Sequence, residues 1–200
     1  GNAAPSASGS AKRRYAVLFA PAADGGAACV AGTVTAGAAH GAGRDRAVPR
    51  RRHDDGVATR DREVVEAGVL KGYFLSTYSA RKLGMPTTGN AGGSHNLVMQ
   101  SRHTKRGDDL DAMLKKLGTG LFVIELMGQG VNYVTGDYSR GASGFWVENG
   151  RIAYPVQEIT IAGNMKDMFQ GIEAIGSDAY TMGAKTIGSV LINRMKVAGS

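Results

Sequence analysis

Side chains able to hold a metal or carry a nucleophilic step are few and scattered in this chain. Histidine occurs at 40, 53, 95 and 103, and Cys29 is the single cysteine. A catalytic zinc centre needs several imidazole, carboxylate or thiolate ligands converging on one point, commonly two histidines close together on one helix. His40, His53, His95 and His103 have no such spacing, and none is followed by glutamate. His95 reads better as a loop histidine with one hydrogen bond than as a ligand. Asp108, Asp109 and Asp111 form an acidic cluster, but helix capping accounts for them. Gly118-Thr119-Gly120 does not continue into a phosphate-binding loop. No catalytic residue and no metal ligand is assigned. What remains is glycine-rich loops, where missing side chains let another backbone come close. Three qualify: TTGNAGG from Thr87, GQGVN from Gly128 and GDYSRG from Gly136. The candidate groove residues are Asn90, Gly92, Gly93, Gln129, Gly130 and Asn132. A simple turn at the first loop and hairpin connections at the other two are the competing readings.

These loops hang on elements that local chemistry predicts. Leu121 to Leu126 is a short apolar run between glycines, as expected of a strand buried on both faces. Phe145 to Val147 and Arg151 to Val156 flank Asn149-Gly150, the strongest two-residue hairpin signal. Pro155 lacks an N–H, so that arm lies at a sheet edge or ends there. Ile159 to Ile161 then reads as another short strand. Upstream, Arg14 to Pro21 reads as a strand, and Asp55 to Phe74 as two strands about Glu66-Ala67-Gly68. Ser76 caps a helix over Thr77 to Leu83, stopped by Gly84. Leu110, Met113, Leu114 and Leu117 form one apolar stripe behind Asp108-Asp109 and before Gly118, the clearest helix in the chain. A second helix after Asn164 carries Met165, Met168, Phe169 and Ile172 on one face, and Val190 to Val197 is the last strand. Trp146 is expected in the core. The fold class is α+β, mainly antiparallel sheet with short helices.

The net charge of +7 invites a nucleic-acid reading, so its location matters. Residues 1–53 hold eight basic and two acidic side chains, which is +6 of that total. The rest of the chain is almost balanced, so nucleic acid is not expected on the folded part. One cysteine permits no intrachain disulfide, which favours a reducing compartment. The apolar run after Lys12-Arg13-Arg14 ends at Pro21, too short for a signal core, and no run approaches the ~18 apolar residues of a membrane span. The expectation is a cytoplasmic protein with no membrane contact.

The segment GQGVNYVTGDYSRGASGFWVENGRIAYPVQEITIAGN resembles the C-terminal domain of the TldD/PmbA family, formerly called modulators of DNA gyrase. It is closer to the PmbA (TldE) branch than to the TldD branch. The resemblance extends upstream through GVATRDREVVEAGVLKGYFLSTYSARKLGMPTTGNAGG and downstream to GSVLINRMKVAG, covering roughly residues 54–200. It implies two regions: 1–53, a low-complexity basic segment that is disordered or out of frame apart from a family-like strand at 14–21, and 54–200, the family's C-terminal domain.

The resemblance also implies chemistry. Catalytic members of the family are zinc peptidases with a His-Glu-x-x-x-His helix just after the segment that RYAVLFAP resembles. Here the following residues read AADGGAACVAGTV, without histidine or glutamate. A cysteine ligand of the catalytic branch falls at Ile187. The chain is therefore expected to hold no cofactor. Its zinc would sit in a TldD-like catalytic partner, within a hetero-oligomeric peptidase acting on unfolded peptides and in microcin maturation. The alternatives are a DNA gyrase modulator associated with nucleic acid, and an inactive truncated gene product. A truncated domain would expose apolar edges near Tyr73, Phe74 and Leu121 to Leu126.

Overall fold

The computed structural model describes residues 13–21, 41–45, 55–67, 69–91, 94, 96–183 and 185–199. In chain order these form β1 (Arg13–Phe19), β2 (Gly41–Asp45), β3 (Arg62–Glu66), β4 (Val69–Leu70), α1 (Thr77–Leu83), β5 (Leu97–Ser101), α2 (Leu110–Leu117) and β6 (Gly120–Met127). There follow β7 (Asp137–Glu148), β8 (Arg151–Asn164), α3 (Met165–Gln170), β9 (Ile172–Ile175), β10 (Tyr180–Met182), β11 (Lys185–Ile187) and β12 (Val190–Ala198). Strands dominate and the helices are short, as the α+β reading expects.

The strands make two sheets. One runs β1-β6-β7-β8-β12, and a further β1–β12 pairing closes it on itself, with β9 added beside β12. Within it only β1–β6 is parallel. Alternation along three strands explains how both faces are filled. Val17 and Phe19 of β1, Leu121 and Val123 of β6, and Val190 and Ile192 of β12 point into one cluster. The residues between them, Leu18, Phe122 and Leu191, point into the other. Helix α2 covers that second face with Met113, Leu114 and Leu117. Its ends match the chemistry: Asp109 accepts from the Ala112 N–H at 3.0 Å, and Gly118 leaves the helix at φ +66°. Each buried aliphatic side chain of this kind contributes about 1.5–3 kcal/mol. Helix α3 places Met165, Met168 and Phe169 in the first cluster.

The second sheet runs β10-β11-β5-β2-β3-β4. Its connection into α1 forms as expected. The Ser76 hydroxyl accepts from Ser79 N–H at 3.1 Å, and Gly84 closes the helix in the left-handed region. Strand β2 pairs with both β3 and β5, so part of the basic front segment enters this sheet. The readings for residues 1–12, 22–40 and 46–54 lie outside the described residues.

Several local expectations change in three dimensions. The hairpin at Asn149-Gly150 forms, with φ +51° and +74° as a type I′ turn requires. However, Ile159 to Ile161 is not a separate strand, because β8 continues through Pro155 to Asn164. Glu158, at φ +53°, takes up a bulge between the Ala142–Ile159 and Gly144–Val156 pairs. Pro155 is tolerated because β8 meets β12 only at Thr160 to Ala162, leaving the earlier arm paired to β7 alone among the described residues. Ile172 belongs to β9, not to α3, since Gly171 ends the helix. Leu121 to Leu126 is buried on both faces only as far as Val123; Ile124 is 43% exposed. The expected exposed edge therefore shrinks to its second half. Tyr73 is exposed, whereas Phe74 lies beneath Arg62, whose guanidinium carbon is 4.8 Å from the ring centroid. Trp146 packs against the first cluster and meets Tyr15 edge-on at 4.8 Å.

Candidate functional site

The parallel β1–β6 ladder runs from Ala16–Gly120 to Phe19–Val123, and the Ala20 N–H adds one more rung on Val123 O at 2.9 Å. Immediately beyond, β6 bulges at Ile124, where its register against β7 shifts between Val123 and Glu125. No strand among the described residues pairs with the outer side of Ile124 to Met127. Ile124 and Met127 are each more than 40% exposed there, and the Glu125 carboxylate accepts from Ser143 Oγ at 3.1 Å. A strand edge with open main-chain donors and acceptors is a template for another extended chain.

That edge runs into the GQGVN loop. Gly128 turns the chain at φ +75°, after which the loop folds back on β7. Ser139 N–H donates to Gly130 O at 2.7 Å, Val131 bridges Tyr138, and Asn132 N–H donates to Asp137 O at 2.8 Å. A β-carbon on Gly130 would stand 1.5 Å from Ser139 O, so only glycine fits. The Asn132 side-chain oxygen accepts from Val134 and Thr135 N–H at 2.9 and 3.2 Å, building the turn that carries Val134 into solvent. Asn164 ties the turn down by donating from Nδ2 to Thr135 O at 3.1 Å.

The groove candidates thus divide. Gln129, Gly130 and Asn132 lie together at the end of the β6 edge, with Gln129 exposed and the Asn132 oxygen engaged in its own turn. Asn90 sits elsewhere, only 4% exposed, in the loop after α1, where its N–H donates to Leu75 O at 3.2 Å. Gly92 and Gly93 lie outside the described residues. Arg140 was missed from sequence; it packs against Gly130 and reaches Leu126 O. The flanking glycines of GDYSRG were the available signal.

A second feature is a cleft of about 650 Å³ where β8 and β12 part. Arg14, Arg194 and Lys196 line it together with Asp137 and Asp167. Such mixed charge suits a polar ligand or water and marks no particular chemistry. The acidic cluster also departs from expectation. Asp109 caps α2, but Asp108 is a buried staple: it accepts from Lys105 N–H at 2.8 Å and pairs with Lys116 Nζ at 2.7 Å. The Lys105 N–H first, then Lys116, holds its carboxyl below the usual carboxylate range.

Zinc finds no fit among the described residues. No group of three or more His, Cys, Asp or Glu side chains is placed to hold a metal ion there. Ile187 is buried and has no lone pair to donate to a metal. Nor is any helix among these residues long and apolar enough to cross a membrane.

Residues 45–199 match the family model described as the PmbA/TldA metallopeptidase C-terminal domain. The chain belongs to the PmbA/TldA metallopeptidase family. It is 54% identical over 145 residues to the metalloprotease PmbA of Escherichia coli O157:H7, covering 72% of this chain and 31% of that protein. It is 52% identical over 146 residues to a metalloprotease PmbA homolog of Haemophilus influenzae, covering 73% and 32%. The chain thus spans about a third of the length of these PmbA relatives. A candidate modulator of a DNA gyrase from Thermotoga maritima has a solved structure that superposes with a TM-score of 0.79 at 28% identity, over 94% of this chain and 50% of that one. The fold described above is therefore shared with that solved structure.

Proposed function

We propose that this chain is the PmbA-branch (TldE-like) subunit of a cytoplasmic zinc metallopeptidase complex. In this reading it holds no zinc itself and offers the outer edge of β6 to unfolded peptides. The observation that carries the reading is the open edge from Ile124 to Met127, which begins directly after the Ala20–Val123 rung. An extended peptide adds to such an edge through main-chain hydrogen bonds, which demand little of its sequence. That suits the processing of unfolded chains, microcin maturation among them.

Position supports the same reading. The edge starts level with Pro21, and in catalytic relatives the metal-binding helix follows the segment that RYAVLFAP resembles. Here residues 22–34 hold neither histidine nor glutamate. The zinc, and the water it would activate, therefore belong to a TldD-like partner. The test is to mix the chain with a TldD-like subunit and follow both hydrolysis of an unfolded peptide and elution on size exclusion. A joint peak with activity above that of the TldD-like subunit alone is expected. Separate elution and unchanged activity would overturn the proposal.

The Thermotoga maritima relative, a candidate gyrase modulator, favours a second reading, modulation of DNA gyrase. The basic front segment gives it an electrostatic handle. A supercoiling assay with purified gyrase decides it: a change on adding the chain, abolished by moderate salt, would favour this reading over the first.

A further inference from the structure

A cation on β7, the strand on the paired side of β6, is left underused by the fold. Arg140 lies on β7 opposite Ile161, and its Cγ would be 3.3 Å from a β-carbon on Gly130. The guanidinium bends back toward β6, where Nη2 donates to Leu126 O at 3.4 Å, a long contact. Nε is buried and has no hydrogen-bond partner. The ion pairs Lys71–Glu66 and Lys116–Asp108 do not involve it. A half-buried guanidinium ordinarily gains a carboxylate, because an unfilled buried donor on a charged group is costly.

Nε and Nη2 are the two donors of the guanidinium's side-on fork, the geometry that takes a carboxylate through two parallel bonds. Here one is unfilled and the other weakly engaged, on the carbonyl of Leu126 within the strand edge assigned above to peptide binding. We propose that Arg140 is a specificity-determining residue that selects a carboxylate on the bound peptide. That carboxylate is the peptide's C-terminus or an Asp or Glu side chain, and the inference rests on the β6 edge being the peptide site. Bound there, it fills Nε and replaces the 3.4 Å contact at Nη2 with a short charge-assisted bond. Nε is closed to water in the free chain, so the peptide must shift its cover.

The test uses fluorescence anisotropy with one fluorescein-labelled unfolded peptide in three forms: free C-terminal acid, C-terminal amide, and the amide with one internal glutamate. The acid form should bind roughly tenfold more tightly than the amide, with the preference weakening in salt. Recovery of affinity by the glutamate form assigns the site to side chains, and no recovery assigns it to the C-terminus. Arg140→Gln should remove the preference, the acid form falling to the amide's affinity, while Arg140→Lys should keep part of it. Circular dichroism melting establishes that both variants fold. Equal binding of all three forms to the wild-type chain would overturn the role of Arg140 and leave the peptide edge standing. So would an equal loss for all three forms in Arg140→Gln, since that marks a purely structural residue. If no form binds, the edge itself is not a peptide site, and the role of Arg140 falls with it.

Discussion

Ala20 donates its backbone N–H to Val123 at 2.9 Å, the last described rung between β1 and β6, and the next residue of β6 is a bulge. Paired and unpaired edge therefore meet at one residue. Hydrogen exchange should report that boundary. Leu121 to Val123 should be protected in the free chain, while amides among Ile124 to Met127 exchange quickly and slow when an unfolded peptide is added. Slowing confined to the cleft between β8 and β12 would move the peptide site there.

The purified chain should carry less than one zinc per molecule after dialysis and should not hydrolyse peptides alone. The expectation follows from the missing His-Glu-x-x-x-His sequence and from the absence of a ligand cluster among the described residues. Elemental analysis beside a peptide-hydrolysis assay checks it. Stoichiometric zinc together with hydrolysis would contradict it.

A shortened chain beginning at Asp54 should not fold cooperatively, although the resemblance to the family domain begins there. Removing residues 1–53 deletes β1, which is hydrogen-bonded to both β6 and β12, and takes Val17, Leu18 and Phe19 out of the two clusters. Three buried apolar side chains at about 1.5–3 kcal/mol each exceed half the stability of many domains. Thermal melting by circular dichroism should show a broad, early transition. A sharp transition at the full chain's temperature would show that β1 is dispensable.

Asp108→Asn should lower the melting temperature by roughly 2–6 °C at pH 7, through loss of the charged partner of Lys116 and weakening of the bond from Lys105. The pH dependence has a definite sign. The folded-state pKa of Asp108 is depressed, so its contribution is complete above the unfolded value near about pH 4. It is lost as pH falls through the lower folded value. The difference between wild type and variant should therefore close in acid. A gap that stays constant from pH 7 to pH 2 would show that the charge of Asp108 contributes nothing.

Local chemistry made much of this protein readable from its residues. The caps Ser76 and Asp109, the stops Gly84 and Gly118, the stripe Met113-Leu114-Leu117 and the Asn149-Gly150 turn act over a few residues and formed as expected. Family membership and the missing zinc motif were legible for the same reason, being carried by contiguous sequence. Pairing between distant segments was not. Whether β1 closes a ring depends on contacts between Arg13–Phe19 and Val190–Val197, nearly the whole chain away. The unbroken run of β8 through Pro155 depends on β12 joining it only at Thr160 to Ala162. Arg140 looks from sequence like any solvated charge in a hairpin. Only the fold brings Gly130 and Leu126 against it, leaving a buried Nε with no acceptor beside an open strand edge. Side-chain type and short spacing determine turns and caps; which edges stay open is decided by which distant strands arrive to cover them.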